Sequence, residues 1–161
     1  NFKQIISKET AYQLTSILEG TIKRGTAKGL RDLNLDLGGK TGTTNKNTDT
    51  WFVGFSSNYV IGVYVGYDEP SSLGKYETGA RTAMPIFKDF VKNAVKKDSA
   101  RPFKVPQGIK MLVVNSKNGE RASYNDESII IEAFKEKDLV NNKIQYGNVG
   151  YISRENIYKF Y

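Results

Sequence analysis

Apolar residues recur at threes and fours through Ala11, Leu14, Ile17, Leu18 and Ile22, the pattern of an amphipathic helix of roughly four turns. Ser7 is a plausible N-cap, and Glu9 falls in the first turn, where the helix dipole favours it. Lys23 and Arg24 close the helix, and Gly25 suits a C-terminal cap. Residues 26–34 read as a loop, and a strand is predicted from Leu35 to Thr43, interrupted in character by Gly38, Gly39 and Gly42. After a polar turn over residues 44–50 come two aromatic and β-branched runs, Trp51–Phe55 and Tyr59–Tyr67. The link Ser56-Ser57-Asn58 makes them a hairpin, and their near-continuous apolar content predicts a sheet covered on each face. Residues 68–82 are a loop, and Pro85, Ile86, Phe87, Phe90, Val91 and Ala94 form a second amphipathic helix with Lys96 and Lys97 near its end.

Beyond residue 98 the texture changes. Arg101-Pro102 and Val105-Pro106-Gln107-Gly108 read as an extended connector, followed by short strands at Met111–Val114 and Ile129–Ile131 with a turn over Asn115–Glu120 between them. The last residues are polar, with scattered tyrosines that read either as contact surface or as solvated aromatics. The fold class expected is α+β, with antiparallel strands flanked by helices that bury the apolar faces. The division expected is a main unit over 1–97 and an appendage over 98–161, either wrapped on the main body or poorly ordered.

Composition narrows the chemistry. With 161 residues, 39% of them apolar, the chain has the makings of a folded unit. It has no cysteine and no histidine, so disulfides, thiolate nucleophiles, thiolate metal sites and histidine acid–base catalysis are excluded within it. A net charge of +7 suits an anionic partner, but the cations are dispersed, with Lys96-Lys97 the longest basic run, so nucleic acid is not the expected one. No apolar run is long enough to span a membrane, and the N-terminus does not read as a signal peptide. The chain opens without Met and with little ahead of its first helix, as an excised or processed segment would.

The chemistry concentrates in Gly38-Gly39-Lys40-Thr41-Gly42-Thr43-Thr44. A phosphate loop fails as a reading, because position 34 holds Asn where that motif opens on Gly, and no helix follows. On a regular strand Thr41 and Thr43 share one face and Lys40 takes the other, so bringing the three together needs a twist or a long reach by the lysine. A solvated Lys-Thr edge beside tight turns is the alternative.

The Lys-Thr-Gly-Thr run ahead of an aromatic hairpin resembles the third conserved element of penicillin-binding proteins and serine β-lactamases. The resemblance continues in order through Arg24-Gly25-Thr26, Asp49-Thr50-Trp51-Phe52-Val53-Gly54-Phe55, Gly62–Asp68, Leu73-Gly74, Glu77-Thr78-Gly79 and Ala83-Met84-Pro85-Ile86-Phe87. This series is similar to the bifunctional, class A penicillin-binding proteins over about residues 4–91, and Phe103–Ile109 resembles the segment that follows their transpeptidase domain. The resemblance implies the C-terminal portion of a D,D-transpeptidase domain of the penicillin-binding protein/β-lactamase fold. In that family a serine, activated by a lysine three residues later, attacks the D-alanyl-D-alanine end of a peptidoglycan stem peptide, and β-lactams trap it. By carry-over, Lys40 governs the electrostatics and proton network, and the hydroxyls of Thr41 and Thr43 bind the donor carboxylate, with Gly42 keeping the backbone approachable. The Thr43 N–H is one of two oxyanion donors.

The Ser-x-x-Lys element belongs upstream of Lys40, where Ser7, Thr15 and Ser16 have no lysine three residues on; Ser123 and Ser128 fail the same test. The Ser-x-Asn element is also missing there, and Ser56-Ser57-Asn58 reads as a hairpin turn. The chain is therefore expected to supply one wall of the site without the nucleophile. The upstream half of the domain is its expected partner, with stem peptides and β-lactams as ligands and no cofactor or metal. Leu14, Leu18, Ile22 and the Trp51–Tyr67 hairpin should leave apolar surface exposed in its absence. The resemblance also implies a membrane-anchored protein on the extracytoplasmic, periplasmic face of the bacterial inner membrane. A serine β-lactamase or carboxypeptidase relative, and a non-catalytic wall-binding fragment, are the alternatives. Trp51 is expected in the core. Asp49 either holds the loop beside the active strand or simply forms a turn. Arg24 either reaches the cleft floor or ends its helix, and Glu77 and Thr78 resemble a rim signature to which no catalytic role attaches.

Overall fold

The computed structural model describes residues 3–95 and 101–141. The order of elements is helix α1 (Lys8–Lys23), strands β1 (Gly38–Thr43), β2 (Asp49–Phe55) and β3 (Val60–Gly66), helix α2 (Ala83–Ala94), strands β4 (Ile109–Asn115) and β5 (Ile129–Lys135), and helix α3 (Glu136–Asn141). By contact density the chain divides into two compact units, one drawn from residues up to Ser16 and from Lys104 onward, the other Ile17–Phe103. Lys96, Lys97, the boundary near residue 98 and the polar tail after residue 141 lie outside the described residues.

The second unit carries an antiparallel sheet in the order β1-β2-β3. Gly38 pairs with Phe55, Lys40 with Val53 and Gly42 with Trp51, while Trp51 and Val53 pair in turn with Tyr64 and Gly62. Because side chains alternate along a strand, this register puts Lys40, Trp51, Val53 and Tyr64 on one face and Thr41, Thr43, Thr50, Phe52 and Gly54 on the other. The second face is the buried one. Helix α2 lays Ala83, Met84, Phe87 and Val91 on it, one stripe of a 3.6-residue helix. The rings of Phe52 and Phe87, both fully buried, lie 4.7 Å apart and tilted. Gly54 is glycine for a steric reason, since a Cβ there would come within 2.5 Å of the Phe87 ring. Ile22, Ala27, Leu30, Leu33 and Leu37 complete this core.

Four expectations need correction. The strand begins at Gly38 rather than Leu35, because β2 ends at Phe55 and offers no partner to residues before Gly38. The stretch 26–34 is not plain loop. Lys28–Leu33 forms a 3-10 turn that buries Leu30 and Leu33, eclipsed by its three-residue repeat, and ends at Asn34 with φ 52°. Ile22 is buried at 5% exposure rather than left open, although Leu14 and Ile17 stay exposed. The sheet is covered on one face only: Trp51, Val53, Val60 and Tyr64 of the other face are exposed.

The predicted hairpin is present, and its turn has the expected chemistry. The Ser56 Oγ accepts the N–H groups of Asn58 and Tyr59, each at 3.2 Å. Helix α1 starts where expected, with the Thr10 N–H donating to Ser7 Oγ at 3.2 Å. At the other end the Gly25 N–H donates to the carbonyls of Gly20 and Thr21. Pro85 sits in the first turn of α2, where its missing N–H costs no helical bond.

In the first unit β4 and β5 form an antiparallel pair from Ile109↔Lys135 to Asn115↔Ile129, longer at both strands than the apolar runs alone indicate. Val114 and Ile131 are buried, and the Gln13 Nε2 donates to the Ala133 carbonyl at 3.0 Å. Helix α3, which no periodicity announces, is tied by the Glu136 N–H to the Gly108 carbonyl at 2.8 Å and by a Lys110–Glu136 ion pair at 2.9 Å.

Candidate active-site wall

Strand β1 is the sheet edge that carries the Lys-Thr-Gly-Thr run. Two bonds fix which backbone groups face outward. The Thr21 Oγ1 of α1 donates to the Gly39 carbonyl at 2.5 Å, and the Lys40 Nζ donates to the Thr41 carbonyl at 2.8 Å. Residues 39 and 41 therefore turn their peptide groups away from β2. In an antiparallel pair the N–H and C=O of one residue point the same way. By alternation the Thr43 N–H also points to the open edge, while Thr44, one residue on, donates its N–H inward to the Asp49 carbonyl at 3.0 Å.

The lysine solves the alternation problem by reach. Lys40 emerges on the face opposite the threonines, yet its ammonium comes round the strand edge to within 3.3 Å of Thr41 Oγ1. The Thr41 hydroxyl also lies 3.3 Å from Thr26 Oγ1. One ammonium and two hydroxyls thus gather at one point of the edge. Thr26 was quoted only as part of a motif; its contact with Thr41 spans 15 residues and left no local signal. Arg24 does not run outward: its guanidinium folds back over Gly20, where a Cβ would come 2.9 Å from Nη2. In the same helix Glu19, paired with Lys23 at 3.5 Å, has its carboxyl pushed above the ordinary range, first by burial.

Asp49 does both of the jobs open to it. Its Oδ1 accepts the Tyr64 phenol at 2.7 Å, and its Oδ2 accepts Thr48 Oγ1 at 2.9 Å and Thr44 Oγ1 at 3.3 Å. The phenol is the main reason its carboxyl is held below the usual carboxylate range, with the two threonine hydroxyls adding to it. Tyr64 is pushed up in return, first because its proton is held by Asp49. The network closes the turn that follows Thr43, where Lys46 and Asn47 take positive φ. Tyr64 was not singled out from the sequence, although its cross-strand position relative to Asp49 follows once the register is known.

Trp51 is not in the core. It is 45% exposed on the open face, with its ring centroid 4.9 Å from that of Tyr64. The physical reason is register: Phe52, not Trp51, points at α2. Glu77 and Thr78 lie in the loop that leads to α2. The Thr78 carbonyl accepts from the Arg81 and Thr82 N–H groups and the Thr82 hydroxyl, and the Gly79 N–H donates to Thr43 Oγ1 at 3.1 Å. The Glu77 N–H donates to the Gly74 carbonyl at 3.2 Å, and its carboxylate has no partner among the described residues.

The expectation that the chain holds no Ser-x-x-Lys spacing needs correction: Ser72 and Lys75 have it. It lies after the hairpin, in non-helical backbone. The Ser72 Oγ accepts the Gly74 N–H at 3.2 Å, and the Lys75 Nζ stands 5.5 Å from the Tyr76 ring centre. Both side chains are occupied with their own loop. Among the described residues no acidic cluster could hold a metal ion, and no helix is long and apolar enough to cross a membrane.

Comparison with known proteins places this geometry. The sequence profile described as "Penicillin binding protein transpeptidase domain" matches residues 2–92, close to the span read from the motifs. Penicillin-binding protein 1A of Rickettsia conorii is 46% identical over 139 residues, covering 86% of this chain and 17% of that protein. The Rickettsia prowazekii protein of the same name is 40% identical over 157 residues, 98% of this chain and 19% of its own length. That alignment takes in the segment beyond the transpeptidase match. A crystal structure of penicillin-binding protein 1A from Haemophilus influenzae superposes with a TM-score of 0.72 at 31% identity, covering 81% of this chain and 21% of that one. The chain thus spans about a fifth of the length of the relatives it matches. With a partial α+β fold of antiparallel strands and helices and a match over more than half its length, the chain belongs to the penicillin-binding protein transpeptidase family.

Proposed function

We propose that this segment forms the Lys-Thr-Gly-Thr wall of a peptidoglycan D,D-transpeptidase site whose serine lies on the upstream half of the domain. The observation that carries the reading is the edge of β1, where the Lys40 ammonium and the Thr41 and Thr26 hydroxyls converge within 3.3 Å contacts. The outward Thr43 N–H stands beside them. A positive charge, two hydroxyls and a free amide on one rigid edge suit a ligand that is anionic and develops an oxyanion during reaction.

In this reading a serine Oγ from the other half gives its proton to the lysine three residues after it and attacks the penultimate D-alanine carbonyl. The carbonyl electrons move onto oxygen, where the Thr43 N–H donates to it. Thr41 and Thr43 hydroxyls hold the terminal carboxylate, and Lys40 supplies charge and handles a proton. Collapse of the intermediate breaks the amide bond, the departing D-alanine amine takes a proton, and the acyl group stays on serine. An amine of a neighbouring stem peptide then displaces the serine to make the cross-link. Gly42 keeps this edge open, and Arg24, Asp49, Trp51, Glu77 and Thr78 shape its surroundings. The full protein would act at the extracytoplasmic face of the inner membrane, with no cofactor.

The test is intact-mass detection of a covalent penicillin adduct, on this chain alone and mixed with the upstream half. Adduct on the upstream half supports the proposal, and Lys40→Ala should then slow its formation by about 10²–10⁴-fold, the scale for losing a proton-handling group. Adduct on this chain would place a nucleophile within it and sink the proposal.

A further inference from the structure

We propose that Gly79 is a positioning residue for carboxylate recognition: its N–H aims the Thr43 hydroxyl so that the hydroxyl proton is presented to the anionic group of the ligand. This rests on the reading of β1 as the substrate-binding edge.

The argument begins with the count of donors and acceptors. A threonine hydroxyl has one proton to give and two lone pairs to receive. The Gly79 N–H occupies one lone pair of Thr43 at 3.1 Å, and Thr43 Oγ1 makes no other hydrogen bond among the described residues. Its neighbours are different. Thr41 shares its hydroxyl with Lys40 and Thr26, Thr44 bonds to Asp49 and Thr48, and Thr50 is buried against Thr82 at 2.5 Å. Thr43 differs in that its single bond is one it accepts from a backbone N–H, so its proton is left to an acceptor from outside, whereas the Thr41 proton is shared with the contact to Thr26. An N–H donating to the hydroxyl oxygen also polarises the O–H and strengthens the bond it gives.

The donor is itself fixed. Gly79 is buried, and its carbonyl accepts the Met84 N–H of α2 at 2.8 Å, so its backbone is tied to β1 on one side and to a packed helix on the other. The loop is further anchored by Thr78 and Thr82, and through Thr82 to buried Thr50 of β2. Nor can another residue stand at 79 without disturbing this. A Cβ there would collide with the Trp51 carbonyl and come within 2.6 Å of the Gly42 carbonyl, both backbone atoms of paired strands. Any side chain must push the loop off the strand, lengthening the bond to Thr43.

The experiment uses the full-length transpeptidase that carries this segment and compares acylation rates for a penicillin and for its carboxyl methyl ester. Gly79→Ala should slow acylation by the free acid about 10–100-fold, the range for a hydrogen bond to a charged group, and change the ester by less than about threefold. Thr43→Val should reproduce that selective loss, and Thr43→Ser should recover most of it, because the aim comes from Gly79 rather than from the stiffness of a β-branched side chain. Equal loss for acid and ester in Gly79→Ala, or no loss, overturns the proposal. So does a Thr43→Ser enzyme as impaired as Thr43→Val, an outcome that decides the matter even if Gly79→Ala does not fold. A parent enzyme that acylates the ester as fast as the acid, or neither, would instead remove the reading of β1 on which the proposal rests.

Discussion

Both faces of the β1-β2-β3 sheet carry aromatic and β-branched residues but have opposite fates. On one, Phe52 and its neighbours are sealed by Phe87 and Val91 of α2. On the other, Trp51, Val53, Val60 and Tyr64 remain exposed, beside the Trp51–Tyr64 ring pair and the Asp49 carboxylate that accepts the Tyr64 phenol. A two-sided apolar strand is costly to leave half open. The comparison teaches that an apolar run marks a strand able to be covered on both sides, while register and the placement of α2 decide which side this chain covers.

The comparison breaks most easily on the sealed face. Phe87→Ala empties the space beside Phe52 and Gly54 and should cost about 3–5 kcal/mol in urea denaturation of this chain. A loss below about 1 kcal/mol would mean that α2 does not carry the core. Next comes Thr50→Val, which keeps shape on the same face but removes the hydroxyl bonded to Thr82. Because Thr82 retains the Thr78 carbonyl as its acceptor, the cost should stay near 1 kcal/mol.

A smaller, pH-dependent effect belongs to the open face. Asp49 is held below the ordinary carboxylate range by Tyr64 and the threonine hydroxyls. Its folded form therefore binds a proton less readily than its unfolded form, and its contribution is present above the unfolded value of about 3.9. It is lost as pH falls through the lower, folded value. Asp49→Asn should show a small fall in Tm relative to the parent at pH 7, and the gap should close under acid. A gap that persists unchanged below pH 3 would mean that the charge is not what the hydroxyls hold.

The sequence made these faces legible to different degrees. Alternation and turn chemistry were enough for the hairpin, and the ordered motifs were enough for the family, because both signals are local. Which of Trp51 and Phe52 faces the core depends on register, and an aromatic at each position says nothing about it. The Leu30–Leu33 turn was read as loop because two leucines among Lys, Gly, Arg and Asp make no period. The site shows the same limit. Lys40, Thr41 and Thr43 stand out in one short run, but Thr26 and Gly79 reach them across 15 and 36 residues, and such contacts exist only once the chain has folded.

The smallest effect sharpens the comparison furthest. Val53 pairs with Lys40 across β1 and β2 and is 43% exposed. In this chain Val53→Ala should change stability by less than about 0.5 kcal/mol, as surface substitutions do. If the open face is covered in the full-length protein, the same substitution there removes two buried methyl groups and should cost about 1.5 kcal/mol. The difference between the two measurements reads coverage directly. Equal, small costs in both settings would mean that the face stays open, and that the apolar run through Trp51–Phe55 answers to strand packing and not to a partner.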